Sequence, residues 1–252
     1  MQMFQYIIEN NEWYDIPARI LSSIYHRLYT AFENKIIIKD LLNGKHFFVF
    51  PNHPLCNSFI YASTPEKNEI AILKSLIDEN TVFLDIGANV GRYSVLLGDK
   101  VKKLFAFEAH PTTARFCRMN FLLNHMDDSQ VFAIALGEDA DPKYFTDLGQ
   151  GSPYNERRAL DHAQIKVPST TLDNFIQHQH FDEDVNFIIK LDVNGYELEV
   201  MHGAVEFLSQ YRVKGILLKT QVSAQSEMSV LLHNLGYQIQ EVSNRHVLAV
   251  KL

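Results

Sequence analysis

The sequence is poor in cysteine, in metal-binding spacings and in long apolar runs, and each shortage excludes a class of protein. Only two cysteines, Cys56 and Cys117, occur in 252 residues, so the chain has no disulfide framework and no cysteine spacing typical of a metal site. The eleven histidines show neither an H-x-x-x-H spacing nor a cluster with carboxylates, so we predict no bound metal. No segment approaches the ~20 apolar residues that would span a bilayer.

Basic residues are fewer than acidic ones, and they do not cluster. The chain has 23 Lys and Arg against 30 Asp and Glu, which gives a formal net charge of −7. We therefore do not expect a polyanionic partner such as nucleic acid. The N-terminus lacks the basic start and the sustained apolar stretch of a signal peptide, so we expect a cytosolic protein.

The remaining composition is that of an ordinary globular protein. Hydrophobic residues make up 46% of the chain and charged residues 21%, which is enough to build a full core. A chain of 252 residues fits one α/β domain with an elaboration, or at most two small domains.

Residues 81–94, TVFLDIGANVGRYS, carry the most informative pattern of the chain. A β-prone run leads into Asp85, a tight turn follows through Gly87, Asn89 and Gly91, and a helical pattern then begins. Glycine supplies positive φ angles and lacks a Cβ, and asparagine is the other residue that best tolerates the left-handed region. This pattern predicts a strand, a turn and a helix, with the turn open to a ligand lying against bare backbone.

A second apolar strand pattern follows at 103–108 and ends in Glu108, at the position where nucleotide-binding folds hold a ribose. A dinucleotide fingerprint would need glycine where the chain has Asn89 and Arg92. The D-x-G-x-N-x-G spacing that starts at Asp85 instead resembles motif I of class I methyltransferases that use S-adenosylmethionine (SAM). The alternative is a sharp βα turn in some other α/β protein.

The N-terminal part reads as a cap on this unit. Residues 12–34 carry apolar side chains at helical spacing, which predicts one or two amphipathic helices. Residues 35–50 contain two β-rich runs joined by Asn43-Gly44, a dipeptide that strongly indicates a hairpin. We therefore divide the chain into a helix and β-hairpin cap at 1–64 and an α/β domain at 65–252.

From residue 65 onwards, strand and helix patterns alternate, as they do in a doubly covered, mostly parallel sheet. The predicted strands are 81–86, 103–108, 131–136, 186–191, 213–219, 237–243 and 246–251, the last two as an antiparallel pair. The predicted helices are 65–80, 92–99, 111–124, 197–210 and 224–235. The pattern predicts a seven-stranded sheet with helices on both faces.

The interval 137–185 is longer than a plain connection. It contains β-like pieces at 143–147 and 164–168 with a Gly-rich, polar stretch between them that includes Ser152 and Arg157. Long insertions of this kind are usually functional or disordered. We interpret it as a loop that covers the substrate at the C-terminal edge of the sheet.

These motifs resemble the FkbM-type family of class I SAM-dependent methyltransferases, and the resemblance covers residues 65 to 252. The matching segments are DIGANVGRYS at 85–94, AFEAHP at 106–111, ALG at 135–137, VPSTTLDN at 167–174 and KLDVNGYE at 190–197. The resemblance implies a Rossmann-like fold, SAM as cofactor, and O-methylation of hydroxyls on sugars, polyketides and related metabolites.

The chain departs from the family pattern at two places. Family members usually carry DVEG after the fourth strand, but this chain has Asn194 as the third of these residues. They also tend to have an acidic residue near the end of the fifth strand, where this chain has Lys219. Both changes remove negative charge from the edge that should face the acceptor. Either Lys219 and Arg157 help to bind an anionic acceptor, or the site has lost activity while keeping the fold.

The motifs supply a set of candidate site residues. For the cofactor they are Asp85, Gly87, Asn89, Gly91 and Tyr93 around motif I, Glu108 for the ribose, and Ala135 near the adenine. Tyr93 covers the methionine end or serves only in packing. For the acceptor they are Lys219, Ser152 and Arg157.

Asp192 and Lys190 are the candidates for catalysis. A hydroxyl must lose its proton when it is methylated, so a base near its oxygen helps. Asp192, at the end of the fourth strand, is our first choice as base or acceptor anchor, and the alternative is that it caps the following helix. Lys190 lies on the same face of the strand. It either pairs with Asp192 or Asp85, because an unpaired buried charge is costly, or contacts the substrate.

The sequence thus predicts a SAM-dependent O-methyltransferase whose acceptor is a small molecule or glycan. The alternative is a catalytically impaired SAM-fold module that binds a partner in a glycan-assembly system. An NAD-dependent oxidoreductase is disfavoured by the glycine spacing.

Overall fold

The computed structural model describes residues 2–33, 35–41, 44–50, 56, 58–62, 64–146, 164–219 and 226–251. Its strands are β1 (Ile37–Asp40), β2 (His46–Val49), β3 (Thr81–Ile86), β4 (Lys103–Phe107), β5 (Val131–Phe132), β6 (Ala135–Leu136), β7 (Lys143–Thr146), β8 (Gln164–Val167), β9 (Ser169–Thr170), β10 (Asn186–Leu191), β11 (Val213–Leu218), β12 (Tyr237–Ser243) and β13 (His246–Lys251). Its α-helices are α1 (Gln2–Glu9), α2 (Ile16–Glu33), α3 (Ser58–Tyr61), α4 (Lys67–Leu76), α5 (Arg92–Leu97), α6 (Pro111–Leu123), α7 (Leu172–Gln177), α8 (Glu197–His202), α9 (Val205–Gln210) and α10 (Glu227–Asn234).

The central sheet has seven strands in the order β12-β13-β11-β10-β3-β4-β5. The pairs from β11 through β5 are parallel, whereas β13 is antiparallel to both β11 and β12. The strand order reverses between β3 and β10, which lie side by side although about a hundred residues separate them along the chain. In open α/β sheets this switch point is where a ligand crevice forms. The predicted fold class is confirmed.

Alternate residues of the central strands feed two hydrophobic cores, one on each face of the sheet. Phe83 and Ile188 face the first core, which also contains side chains of α4, α5, α6 and the N-terminal segment. Leu84 and Ile189 face the second, which contains side chains of α7 to α10. Burial on both faces explains why β3 and β10 are almost continuously apolar.

The N-terminal elements pack on the first face. Asn120 of α6 and Asn124, which follows that helix directly, hold β2 in place: Asn120 Oδ1 accepts from Phe48 N at 2.8 Å, and Asn124 Oδ1 accepts from His46 N at 2.9 Å. β1 and β2 pair antiparallel, which confirms the hairpin. Side chains of β2 and α3 belong to the same hydrophobic cluster as α4 and α5. The division at residue 64 stays a prediction.

The structure differs from the predicted elements at several places, among them the unpredicted helices α3 and α7 and the three that follow. The expected strand 131–136 splits, because β5 ends at Phe132 and β6 pairs instead with β9. The expected helix 197–210 breaks at Gly203, where Asp173 of α7 accepts hydrogen bonds from the first turn of α9. Helix α1 was not predicted at all.

Candidate functional site

The turn after β3 has the backbone geometry that its glycines require. Gly87, Asn89 and Gly91 have φ angles of 74°, 53° and 85°, all in the left-handed region. A Cβ on Gly87 would lie 1.9 Å from the carbonyl oxygen of Asp192, and one on Gly91 would lie 2.9 Å from Cys117 Sγ. Gly87 therefore lets the ends of β3 and β10 approach closely, and Gly91 lets the turn pack on α6.

Asp85 lies beneath this turn and is fully buried. Its Oδ2 accepts hydrogen bonds from the backbone N–H of Ser94 at 3.1 Å and from the Ser94 hydroxyl at 2.6 Å. Its Oδ1 lies 3.2 Å from Lys190 Nζ. The structure thus places Asp85 where it ties together β3, α5 and β10, so its effect on a ligand is exerted through the turn.

Lys190 is the in-register neighbour of Asp85 on β10 and is only 5% exposed. Besides the ion pair, its ammonium donates to the carbonyl of Gly87 at 2.6 Å. Burial alone would lower the pKa of Lys190, but the charges of Asp85 and Asp192 outweigh burial and raise it. Of the two partners considered for Lys190, Asp85 is the one in direct contact, and the lysine is charged at neutral pH.

Glu108 follows directly after β4 and faces the same turn. Its Oε2 accepts from the backbone N–H of Asn89 at 2.9 Å, and its Oε1 accepts from the backbone N–H of His110 at 2.9 Å. Burial raises the pKa of Glu108, and the hydrogen bonds from His110 and Asn89 partly oppose that rise. Each carboxylate oxygen keeps a lone pair for a further donor.

Asp192 and Lys219 follow β10 and β11 and pair with each other across the ends of these strands. Lys219 Nζ donates to Asp192 Oδ2 at 2.9 Å, and the two side chains are 28% and 21% exposed. The sequence made Lys219 a candidate for binding an anionic acceptor. The structure instead makes it the direct partner of Asp192, so its charge is balanced within the site.

The turn from 193 to 196 leads into α8 and is organised by Glu197. The Glu197 carboxylate accepts from the backbone N–H groups of Val193 at 3.0 Å and Gly195 at 2.9 Å. Asn194 is exposed and has a φ angle of 56°, a conformation that asparagine tolerates well. Glu197 therefore provides the cap at the start of α8, the role that was the alternative for Asp192.

Tyr93 is buried in the first turn of α5, and its hydroxyl donates to Glu66 Oε2 at 2.7 Å. The same Glu66 oxygen lies 2.6 Å from Arg92 Nη1. Burial, with the charge of Glu66, raises the pKa of Tyr93 well above its usual value, so the phenol keeps its proton. Sequence reasoning missed Glu66 and Arg92, because no motif spacing connects α4 with α5.

The other candidates fall outside the turn. Ala135 was placed at the end of the third strand, but that strand ends at Phe132, and Ala135 lies in β6 opposite Ser169. The predicted bound of that strand is therefore wrong, and the adenine role of Ala135 stays a prediction. Ser152 and Arg157 lie outside the described residues.

The residues present fit SAM. A carboxylate that already accepts two backbone N–H groups and has lone pairs to spare suits the vicinal hydroxyls of a ribose, so Glu108 would hold the nucleoside. The turn from Gly87 to Gly91 would lie along the methionine part. Asp192 borders the same turn through the close contact at Gly87.

Comparison with known proteins agrees with this geometry. The family model of the methyltransferase FkbM domain matches residues 85–239, which is more than half of the chain. The chain therefore belongs to the FkbM methyltransferase family, and it is a methyltransferase with SAM as its cofactor. No curated protein sequence matches the chain significantly.

Several solved structures resemble the chain at low identity. A precorrin-6y C5,15-methyltransferase from Geobacter metallireducens GS-15 is 16% identical, with 75% of this chain and 89% of that chain covered and a TM-score of 0.42. A putative methyltransferase from Streptococcus mutans in complex with SAH is 11% identical, with 74% and 97% covered and a TM-score of 0.42. A Pyrococcus abyssi tRNA (uracil-54, C5)-methyltransferase in complex with S-adenosyl-L-homocysteine is 14% identical, with 85% and 43% covered and a TM-score of 0.43. Their acceptors are properties of those proteins.

In the described part of the chain, no helix combines the length and the apolar character needed to cross a membrane. Nor does this part of the chain bring three or more His, Cys, Asp or Glu side chains together in a way that would hold a metal ion.

Proposed function

We propose that the protein is an O-methyltransferase that acts on a hydroxyl of a sugar, a glycan or a related small metabolite. The observation that carries the proposal is the position of Asp192. Asp192 follows β10 and its backbone carbonyl adjoins Gly87 of the turn, while its carboxylate remains partly exposed, so a bound hydroxyl can reach it.

When bound, SAM would supply an electrophilic methyl group on a sulfonium to the acceptor oxygen, and the bonding electron pair would leave on sulfur. Most of the catalysis then comes from positioning the two reactants. In favourable cases, positioning lowers the activation free energy by roughly 7–11 kcal/mol. Asp192 takes the hydroxyl proton as the new bond forms. Lys219 holds the Asp192 side chain in place through the 2.9 Å contact.

The charges of the chain support a small or glycan acceptor. A net charge of −7 without a basic cluster disfavours nucleic acid, although RNA methyltransferases occur among the resembling structures. An anionic acceptor stays a prediction, because Lys219 already shares its charge with Asp192. A cytosolic location also stays a prediction.

The test is a turnover screen with methyl-labelled SAM and a panel of hydroxylated sugars and metabolites, read by mass spectrometry. We expect one labelled methyl group on one hydroxyl of an accepted compound. Asp192→Asn keeps the size of the side chain but cannot take the proton, so kcat should fall by about 10²–10⁴. Binding of S-adenosylhomocysteine (SAH) should stay as in the wild type. Undiminished turnover by Asp192→Asn would contradict the assigned role.

One observation favours the second candidate, a SAM-binding module without turnover. Lys219 forms an ion pair with the Asp192 carboxylate, whereas family members tend to have an acidic residue at the position of Lys219. Such an ion pair can prevent Asp192 from acting as a base. In that case SAH binds normally and no compound of the panel is methylated, whereas Lys219→Met frees the Asp192 carboxylate and should restore turnover.

A further inference from the structure

A half-buried carboxylate lies between the N-terminal segment and the motif I turn. Glu66 immediately precedes α4, and its Oε2 accepts a hydrogen bond from the Tyr93 hydroxyl at 2.7 Å and contacts Arg92 Nη1 at 2.6 Å. The Glu66 side chain is 21% exposed and that of Arg92 only 11%. One carboxylate oxygen thus holds two consecutive residues of α5.

The backbone of Glu66 shows that its side chain does not serve its own helix. Glu66 occupies the N-cap position of α4 but makes no side-chain hydrogen bond to that helix. Its φ and ψ angles are 54° and 51°, in the left-handed region that costs free energy for any residue with a Cβ. Such strain persists where the surroundings enforce it, and here it directs the carboxylate towards α5.

Tyr93 carries the effect of Glu66 to the turn. The ammonium of Lys190 lies 5.4 Å from the centre of the Tyr93 ring, within the range of a cation–π contact. The same ammonium donates to the carbonyl of Gly87, the first residue of the turn. The ring therefore lies against a buried charge that fixes the turn backbone.

We propose that Glu66 is a positioning residue for the methyl-donor site, which it orders by holding Tyr93 against Lys190 and thereby fixing the Gly87 end of the turn. The inference rests on SAM as cofactor and does not depend on which acceptor the protein uses. Its test can therefore fail while the proposed function stands.

The electrostatics keep this link intact over a wide pH range. Burial opposes ionisation of Glu66, but Arg92, His246, the Tyr93 hydrogen bond and Lys219 hold its pKa at about 2. The link also reaches the N-terminal segment, because the Arg92 guanidinium lies 5.7 Å from the centre of the Phe59 ring of α3. Packing of that segment and order in the turn are thus connected through one carboxylate.

The test is a double-mutant cycle on SAH affinity, measured by isothermal titration well below the melting temperature of every variant. Glu66→Ala and Tyr93→Phe should each weaken SAH binding about tenfold, since each breaks the same hydrogen bond. The double variant should also lose about tenfold and not a hundredfold. Glu66→Gln keeps an acceptor for the Tyr93 hydroxyl and should bind within about threefold of the wild type.

Glu69→Ala is the matched control. Glu69 is a buried carboxylate one turn further along α4, where it contacts His246 Nδ1 at 3.0 Å. Its loss should lower the melting temperature and leave SAH affinity unchanged. Equal weakening by Glu69→Ala, a hundredfold loss in the double variant, or wild-type binding by Tyr93→Phe would each overturn the proposal. Tyr93→Phe and Glu66→Gln decide the matter even if Glu66→Ala does not fold.

Discussion

Removal of the Lys190 ammonium is the most direct perturbation of the site. Lys190→Met keeps the length and apolar stem of the side chain but leaves the carboxylate of Asp85 buried without its cation. Breaking a buried pair from one side costs about 3–5 kcal/mol, because the remaining charge stays out of water. That is a large part of the roughly 5–15 kcal/mol by which a domain is stable.

A second substitution separates the cost of the unpaired Asp85 charge from the cost of lost packing. Asp85→Asn in the Lys190→Met background neutralises that charge and still accepts a hydrogen bond from Ser94. We expect the double variant to regain about 2 kcal/mol relative to Lys190→Met alone, a non-additivity typical of contacting residues. Urea denaturation followed by circular dichroism gives these free energies, provided that the m-values stay equal.

Lys214→Met is the control for the substitution itself. Lys214 lies on β11, the strand next to β10, and pairs with Asp78, but its side chain is 25% exposed and that of Asp78 40%. A pair so open to solvent contributes about 0–1 kcal/mol. The reasoning is refuted if Lys190→Met costs no more than Lys214→Met, or if the losses at Lys190 and Asp85 simply add.

Three further predictions concern the turn and its carboxylates. Gly87→Ala should destabilise the fold and abolish SAH binding in titration calorimetry. Gly236 is the control, because it has a similar φ of 83° but nothing within 4 Å of an added Cβ. Gly236→Ala should lower the free energy of unfolding by only about 1–2 kcal/mol and leave SAH binding intact. Glu108→Ala should weaken SAH binding by roughly 1.5–3 kcal/mol, and because the pKa of Glu108 is raised, wild-type affinity should fall on acidification before an ordinary glutamate with a pKa of 4.5 would titrate. The pKa of Glu66 is about 2 in the folded protein, against an ordinary value of 4.5. Ionised Glu66 therefore contributes stability that is complete above pH 4.5 and is lost as the pH falls towards 2. The free energy of unfolding of Glu66→Gln should accordingly fall less steeply with decreasing pH in that range.

The strands that are buried on both faces of the sheet could be predicted from the sequence. Strands β3 and β10 occupy the predicted ranges 81–86 and 186–191, because fully buried strands are apolar along their whole length. The prediction of the third strand was wrong after Phe132, because β6 pairs with β9 and not with the central sheet. β9 lies more than thirty residues later in the chain, so the local sequence does not reveal this pairing. The break in the helix at 197–210 depends on Asp173, whose capping role no local pattern reveals.

The site shows the same division between local and distant information. Alternation along β10 was enough to place Lys190 and Asp192 on one face and to require a partner for the lysine. It could not decide between Asp85 and Asp192, because that choice depends on the register between strands. Glu66 was missed because its contact with Tyr93 arises from the packing of α4 on α5.

The position of β10 between β3 and β11 has a consequence for how the chain acquires its site. β3, β4 and α5 can assemble from neighbouring segments, but β10 pairs with β3 across a separation of 105 residues, as in the contact of Thr81 with Asn186. Such distant pairings are slow to form. We therefore expect the crevice to close late in folding, with Lys190 reaching Asp85 only when β10 inserts. The methyl donor then binds the completed sheet and not its precursors, so its concentration in the cell directly favours the folded chain.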